Sequence, residues 1–82
     1  MKNTFSKTYP YLSWYVHNHG RLEIGPDDYS SSWLRLYDDG GTVLEVDEAT
    51  LDKSLAKAEK WLPTWMEGID SEALAAIKKE NA

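Results

Sequence analysis

Two histidines separated by one residue, His17 and His19, are the first side chains of this chain whose types and spacing suggest chemistry. With Asn18 between them they spell HNH, the name of a class of metal-dependent nucleases, but those enzymes draw the three residues from a longer metal-binding unit. On a helix, side chains two residues apart point about 200° away from each other and cannot bind one metal ion. On a strand they would share a face, yet the chain has no third histidine and no cysteine to complete a zinc site. We therefore expect neither a metal nor nuclease activity, and we interpret both histidines as polar residues at a helix C-terminus.

Pairs of adjacent acids are the next candidates, because calcium binds oxygen ligands. The pairs are Asp27-Asp28, Asp38-Asp39 and Asp47-Glu48. Calcium loops place ligands at every second position, which residues 38–43 do not, and aspartate is favoured in turns for its local hydrogen bonds. No pattern around the serines at positions 30–32 indicates the general base that a serine nucleophile needs. The sequence thus predicts no catalytic residue, no metal site, no cofactor and no enzymatic activity.

The strongest candidate for function is one face of a predicted strand. Aromatic and cationic side chains alternate there beside a valine of the next strand, and tryptophan, tyrosine and arginine dominate the energetics of protein interfaces. The candidate interface residues are Trp33, Arg35, Tyr37 and Val43. Two alternatives stay open. In the first, Arg35 stacks on the rings and pairs with Glu23 or Glu45, so that the polar groups of a solvent-exposed face satisfy one another. In the second, the first helix covers this face.

Three strands must hold these side chains, and each strand alternates apolar with polar residues. The sequence predicts strands over residues 21–24, 31–37 and 42–46, with a turn at residues 25–28 and a hairpin loop at residues 38–41. One face takes the aliphatic side chains Leu22, Ile24, Leu34, Leu36, Leu44 and Val46. The other face takes Arg21, Glu23, Trp33, Arg35, Tyr37, Val43 and Glu45.

The hairpin loop raises a conflict of register. A two-residue loop at Asp39 and Gly40 would pair Leu34 with Glu45 and put a carboxylate on the buried face. A connection of three or five residues avoids this conflict. The sequence therefore predicts an odd-numbered loop with one glycine at positive φ and a bulge.

A helix over residues 10–19 is predicted before the sheet. Pro10 suits its first turn, and Gly20 stands where a left-handed C-terminal cap is wanted. A strand is the alternative, because tyrosine, tryptophan and valine also favour pleated structure. Residues 1–8 are polar and lack periodicity, which predicts a loose tail.

The clearest helix follows the sheet. Thr50 can cap it, and apolar residues then recur at spacings of three and four. This stripe consists of Leu51, Leu55, Ala58, Leu62 and Trp65. Pro63 predicts that the helix ends or kinks near Leu62. Asp70 or Ser71 begins a last helix, whose docking residues are Ala73, Leu74 and Ile77.

Together the elements predict one α+β domain of two layers, in the order α-β-β-β-α-α. A three-stranded antiparallel meander forms one layer, and helices pack on one of its faces. A chain of 82 residues allows only one hydrophobic core. We divide it into a tail at residues 1–8, the domain at residues 9–69 and a C-terminal helix at residues 70–82.

Charge is unevenly distributed along the chain. The net charge is −5, but residues 22–52 hold nine acids and one base, whereas residues 1–21 hold three bases and no acid. The acidic middle repels phosphate backbones, so we expect no direct binding of nucleic acid. No run of apolar residues has the form of a signal peptide or a membrane span, which predicts a cytoplasmic protein without a membrane partner.

The run LEIGPDDYSSSWLRLYDDGGTVLEV at residues 22–46, followed by Thr50-Leu51-Asp52 and an amphipathic helix, resembles a group of small uncharacterised bacterial single-domain proteins. The likeness lies in an Ile-Gly turn, an Asp-Tyr-Ser step and an Asp-rich Gly-Gly hairpin. It covers about residues 12–65. The resemblance implies a shared fold and supplies no activity.

These observations favour a non-enzymatic protein-interaction or accessory module. Its partner would be another protein or a second copy of the chain, bound on the face that carries Trp33. The alternative is an acidic DNA mimic that binds a nucleic-acid-binding protein. That alternative requires the carboxylates of residues 22–52 to lie in rows on one surface.

Overall fold

The computed structural model describes residues 4–26 and 32–81. In these ranges the helices are α1 (Thr4–Thr8), α2 (Pro10–Asn18), α3 (Leu51–Met66) and α4 (Ser71–Glu80). The strands are β1 (Arg21–Ile24), β2 (Leu34–Asp38) and β3 (Gly41–Val46). The order is α-α-β-β-β-α-α, with helices packed against the sheet. The predicted α+β fold is confirmed, with one helix added before the others.

The sheet is an antiparallel meander in which β2 lies between β1 and β3. Its cross-strand pairs include Leu22 with Leu36, Leu36 with Leu44, and Leu34 with Val46. We call the face that carries these side chains the inner sheet face. Leu34, Leu36 and Val46 are buried there, which confirms the predicted alternation. Ile24 departs from it, because its side chain at the end of β1 is 54% exposed.

Helices α2 and α3 supply the other half of the core. The buried residues that pack on the inner sheet face are Leu12, Tyr15, Leu55, Ala58 and Leu62. Three of them belong to the apolar stripe predicted for α3. Each leucine removed fully from water contributes about 1.5 to 3 kcal/mol to folding, so this layer is the main source of stability.

The β2–β3 loop is shorter than predicted. Asp38 pairs with Gly41, which leaves Asp39 and Gly40 as a two-residue loop rather than an odd-numbered one. Gly41 has a φ of 112°, a left-handed value that favours glycine. The Gly40 N–H donates to Asp38 Oδ1 at 2.8 Å, which fixes the start of the turn. The predicted glycine at positive φ is therefore present, as the first residue of β3 after a shorter loop.

A bulge inside the hairpin resolves the conflict of register. Leu36 lies opposite Leu44, but the next residue, Tyr37, lies opposite Thr42. Val43 is therefore the extra residue of β3. The predicted bulge is confirmed, and it sits within the strand instead of lengthening the loop.

The connection from α2 to β1 depends on a close approach at Gly20. The helix predicted over residues 10–19 is confirmed, but φ at Gly20 is not positive, so the predicted left-handed cap is wrong. A Cβ added to Gly20 would overlap the Tyr37 carbonyl oxygen and lie 2.9 Å from Tyr15 Oη. Glycine is needed here because two backbone segments meet, and not because of an unusual dihedral angle.

The N-terminal segment contains a helix that the sequence did not predict. Residues 4–8 form α1, and Phe5 packs against the buried cluster, with its ring centroid 5.4 Å from that of Tyr9. The hydroxyls of Ser6 and Ser13 lie 2.9 Å apart and join α1 to α2. The described part of the predicted loose tail is therefore a docked helix.

Helix α3 runs past its proline. Thr50 caps it as predicted, since its hydroxyl accepts a hydrogen bond from the Lys53 N–H at 3.1 Å. The helix then continues through Pro63 to Met66, so of the two predicted alternatives, an end or a kink near Leu62, the end is wrong. Leu62 and Met66 are both fully buried, and their packing on either side of the proline offsets one missing backbone hydrogen bond.

Helix α4 begins as predicted. The Asp70 side chain accepts a hydrogen bond from the Ala73 N–H at 3.0 Å and caps the helix. Leu74 and Ile77 pack with Met66 in a second, smaller buried cluster. The C-terminal helix is thus anchored through the last turn of α3.

The N-terminus of α2 is capped from α3. Tyr9, at the N-cap position, provides no side-chain acceptor, and Pro10 follows it. Glu59 Oε2 accepts from the Tyr11 N–H at 2.9 Å, and Oε1 accepts from the Leu12 N–H at 2.8 Å. Burial raises the pKa of Glu59, and the two backbone donors oppose that rise. One carboxylate thereby satisfies two donors that a helix N-terminus leaves unpaired.

Replacing Glu59 with alanine leaves both donors without this acceptor, so we expect the free energy of unfolding to fall by about 1 to 2 kcal/mol. The folded-state pKa of Glu59 lies above its unfolded value. Its contribution is therefore complete below the unfolded pKa and declines as pH rises through the folded pKa. Urea denaturation should show a larger loss at about pH 4 than at about pH 7.

The control for Glu59→Ala is Glu67→Ala, which removes an exposed carboxylate just after α3. We expect the control to change the free energy of unfolding by less than about 0.5 kcal/mol. Equal losses in the two variants would contradict the capping role, and a loss that does not vary with pH would contradict the rise in the Glu59 pKa on burial.

Candidate functional site

The candidate interface lies on the face of the sheet opposite the α2–α3 layer. We define this outer sheet face by Arg35 and Tyr37 with their neighbours Arg21, Glu23, Thr42 and Glu45, together with Trp33, which lies in the bend just before β2. Arg35 of β2 pairs with Glu23 of β1 on one side and with Glu45 of β3 on the other. Tyr37 lies between Arg21 and Thr42 in the same way. The face is therefore an aromatic and cationic row flanked by charged residues.

Arg35 is buried within this face, with a side chain only 2% exposed. Its Nη1 donates to the Ser32 carbonyl at 2.9 Å, its Nη2 donates to the Gly25 carbonyl at 2.7 Å, and its Nε donates to Tyr37 Oη at 3.1 Å. Glu23 Oε1 lies 3.6 Å from Nη2. The guanidinium thus joins the two ends of the β1–β2 connection. Its contact with Glu23 agrees with the alternative in which Arg35 pairs with that residue. It is a support of the face rather than a contact for a partner.

Tyr37 is half-buried and held from three sides. Besides the contact with Arg35, Tyr37 has the guanidinium of Arg21 over its ring, with the guanidinium carbon 4.8 Å from the ring centroid. Its carbonyl accepts the hydroxyl hydrogen bond of Tyr15 at 2.8 Å. Burial, assisted by the negative charge of Asp38, raises the pKa of Tyr15 to about 12, so this hydroxyl stays a donor at neutral pH. The inner and outer layers are therefore connected through Tyr37.

Trp33 is the accessible part of the candidate interface. Trp33 is 40% exposed, and Ile24, which pairs with Leu34 of the inner sheet face, is 54% exposed. Their strands are held together here by a hydrogen bond from the Gly25 N–H to the Trp33 carbonyl at 2.7 Å. Among the residues that the structure describes, the only other large apolar side chain so exposed is Ile69, between α3 and α4. The end of the β1–β2 pair therefore carries two exposed apolar side chains.

Val43 is not placed on the outer sheet face as expected. It is the extra residue of the bulge, it is half-buried, and it packs against the core cluster. Thr42 takes the position opposite Tyr37 instead. The bulge shifts Val43 inward, which removes it from the candidate interface.

The two histidines bind different partners. His17 Nδ1 lies 2.7 Å from the Ser13 carbonyl oxygen, which can only accept, so Nδ1 carries the proton. The Ser13 hydroxyl lies 3.5 Å from the same nitrogen. Because Nδ1 is already protonated, it cannot act as the base that would make Ser13 a nucleophile. His19 Nε2 lies 2.9 Å from Asp38 Oδ2. Within residues 4–26 and 32–81, no three His, Cys, Asp or Glu side chains are grouped to hold a metal ion.

His19 instead connects the C-terminal end of α2 to the β2–β3 hairpin. Its ring centroid lies 5.0 Å from Trp65, 5.3 Å from Tyr15 and 6.1 Å from Trp14. The hydrogen bond to His19, with one from a backbone N–H, lowers the pKa of Asp38. The stabilisation from Asp38 is therefore present above its unfolded pKa and lost as pH falls through the lower folded value. No sequence pattern links these two residues, and sequence reasoning missed the contact.

Several carboxylates of the acidic middle segment already have partners within the chain. The contacts are Glu23 with Arg21, Asp38 with His19, Glu45 with Ser32 and Glu48 with Lys57. These acids lie on β1 and β3, at the hairpin and before α3. Asp27 and Asp28 lie outside the described residues. The hypothesis of DNA mimicry receives no support from this arrangement.

None of the described helices combines the length and the apolar character needed to cross a membrane. Comparisons with protein-family models, curated proteins and solved structures found no match for this chain. The resemblance to small bacterial proteins therefore stays a prediction. The functional argument depends on the geometry of the outer sheet face.

Proposed function

We propose that this chain is a non-enzymatic protein-interaction module whose contact surface is the outer sheet face around Trp33. A second copy of the chain or another protein binds there. The observation that carries the proposal is an exposed tryptophan on a fixed support. Trp33 is 40% exposed, whereas Arg35, two residues further along the chain, is 2% exposed and hydrogen-bonded to both ends of the β1–β2 connection.

A fixed support matters because a partner binds more weakly when the contact residues must become ordered on binding. The backbone on either side of Trp33 is held before any partner arrives, by the Gly25 N–H and by the guanidinium of Arg35. Exposed tryptophans that are surrounded by polar groups are typical interface anchors, and truncating one often costs about 2 kcal/mol or more in binding. On the same face, Glu23 and Arg21 form an ion pair along β1.

Self-association is the first test of this proposal. Sedimentation equilibrium from about 10 μM to about 1 mM should show a mass that rises from one chain toward two. Trp33→Ala should raise the dissociation constant at least about tenfold, because it removes the anchor. The matched control is Ile69→Ala, which truncates an apolar side chain that is 51% exposed on the α3–α4 connection. It should leave the dissociation constant unchanged.

A monomeric wild-type protein directs the test to other partners. The tagged protein is then purified from its own cells beside a Trp33→Ala/Tyr37→Ala variant, with circular dichroism to show that the variant is folded. The proposal expects the variant to lose partners that the wild type and Ile69→Ala retain. If the wild type is monomeric and all three chains recover the same proteins, the outer sheet face is not the contact surface.

A further inference from the structure

Strand β1 forms an edge of the sheet. The strand order is β1-β2-β3, so within residues 4–26 and 32–81 no strand lies beyond β1. The Gly25 N–H donates to the Trp33 carbonyl, and the backbone groups of successive residues point to opposite sides of a strand. Leu22 and Ile24 therefore direct their backbone N–H and C=O groups away from β2. An edge of this kind is a template for another strand.

The opposite edge of the sheet is less suited to pairing. Strand β3 contains the bulge at Val43, which interrupts the regular spacing that a further strand would need. The pairing of β1 with β2 has no such irregularity. Ile24, at the end of β1, adds an apolar side chain that is 54% exposed. An added strand would therefore be better accommodated at β1 than at β3.

The charges of β1 are complementary to those of a second copy of the same strand. In an antiparallel pair with a two-fold axis at Leu22, each Arg21 lies opposite Glu23 of the other copy. A shift of the pairing by two positions brings either Arg21 or Glu23 opposite itself. Like charges directly opposite each other destabilise a sheet, and a shift by one position exchanges its faces. The residues of β1 thus favour one register.

The same register pairs the backbone groups of the edge. The two copies of Leu22 exchange hydrogen bonds across the axis, and each Ile24 N–H donates to the Gly20 carbonyl of the other copy. The exposed Ile24 then lies near the end of α2 of the other copy, since that helix ends shortly before Gly20. Arg21 and Glu23 fall at the positions where side chains of paired strands are closest.

The ion pair already present on β1 is compatible with this contact. Arg21 Nε donates to Glu23 Oε2 at 3.0 Å, and Glu23 Oε1 lies 3.6 Å from Arg35 Nη2. The Arg21 side chain is 68% exposed, and a guanidinium has two further nitrogens that can donate. Arg21 can therefore keep its contact with its own Glu23 and also contact Glu23 of the second copy.

We propose that β1 is a homodimer contact, in which two copies pair their β1 edges antiparallel about Leu22. The product is one continuous sheet with three strands from each copy. This two-fold pairing closes after two copies, so it does not extend into a fibre. The inference goes beyond the proposed function, because the edge of β1 makes the contact and Trp33 takes no part in it.

Disulfide trapping tests both the contact and its register. The chain has no cysteine, so an introduced cysteine reports on one position. Arg21→Cys and Glu23→Cys chains are mixed in equal amounts in a glutathione redox buffer. In the proposed register these two positions lie directly opposite each other, whereas two identical positions are diagonal neighbours about 7 to 8 Å apart. The mixed disulfide should exceed the two symmetric disulfides together at least about fourfold, whereas random collision would give about equal amounts.

Two controls accompany this experiment. Lys53→Cys mixed with Lys60→Cys places the cysteines at exposed positions of α3 and should give the random proportion. Ile24→Pro, added to both β1 cysteine chains, removes an N–H that points away from β2 and should reduce the mixed disulfide to the random proportion. Circular dichroism shows whether the proline variants are folded. If they are not, the proportion in the chains with Ile24 decides the matter.

A random proportion for the β1 cysteines, a predominance of either symmetric disulfide, or an unchanged excess in folded Ile24→Pro chains would overturn the inference. The experiment is repeated in chains that also carry Trp33→Ala, where the mixed disulfide should keep the same excess. Loss of the excess there would overturn the inference, because the contact would then depend on the outer sheet face. Failure of the proposed function is measured separately, by sedimentation and partner recovery with cysteine-free Trp33→Ala chains.

Discussion

Replacing Arg35 with alanine should lower the free energy of unfolding by about 3 kcal/mol. The guanidinium is almost fully buried and donates to the carbonyls of Gly25 and Ser32 and to the hydroxyl of Tyr37. Alanine would leave these acceptors and the nearby carboxylate of Glu23 without that donor. The loss would be larger than that for an ordinary surface arginine, because buried acceptors cannot all recover a partner from water.

Urea denaturation of Arg35→Ala, Arg35→Lys and Arg21→Ala measures this effect. Lysine keeps the charge but has one ammonium group in place of a planar fork, so Arg35→Lys should recover less than half of the loss. Arg21, with a side chain 68% exposed, lies on the same face and also contacts Glu23. Its removal should cost less than about 1 kcal/mol. Similar losses for Arg35→Ala and Arg21→Ala would contradict the role of Arg35 as a buried support.

Gly20→Ala is expected to cost about 2 to 3 kcal/mol, the second large effect. One added methyl group would occupy the space of the Tyr37 carbonyl oxygen and press on the Tyr15 hydroxyl. Neither obstacle is the free end of a flexible side chain, because the carbonyl is backbone and the hydroxyl is hydrogen-bonded to it at 2.8 Å. The α2–β1 connection would have to move away from β2.

Gly68→Ala provides the matched control. A Cβ at Gly68 meets nothing closer than the Trp65 carbonyl oxygen at 3.9 Å, so the same substitution should change the free energy of unfolding by less than about 1 kcal/mol. Thermal unfolding of both variants distinguishes the two sites. A Gly20→Ala protein as stable as Gly68→Ala would show that the close approach at Tyr37 relaxes without cost.

Local patterns in the sequence predicted most of the fold. The alternation of leucine with polar residues in β2 identified the inner face, and the three- and four-residue spacing identified α3, because each depends on neighbours a few positions away. The place of the bulge did not follow from the sequence. The requirement that Leu44 face inward can be met by a longer loop or by an extra residue in the strand, and sequence counting does not choose between them.

The contacts that define the candidate site were harder to predict, because they join distant positions. Glu59 caps α2 through the amide of Leu12, 47 positions earlier, and His19 contacts an aspartate 19 positions away. One signal could have indicated the first contact. Tyr9 occupies the N-cap position before Pro10, where a side chain that accepts a hydrogen bond is favoured. Its presence there implies that the acceptor comes from elsewhere in the chain. Trp33 and Arg35 were both named as candidates, but only the folded structure shows that Trp33 is exposed and Arg35 is buried.

The cap from Glu59 also has a consequence for biosynthesis. The first turn of α2 receives its acceptors from a residue that is translated 47 positions after Leu12. A nascent chain that ends within the sheet therefore carries the apolar residues of α2 without the carboxylate that completes the helix. We expect chains truncated before residue 59 to be prone to proteolysis, and the helix to become protected only when α3 has been synthesised and docks.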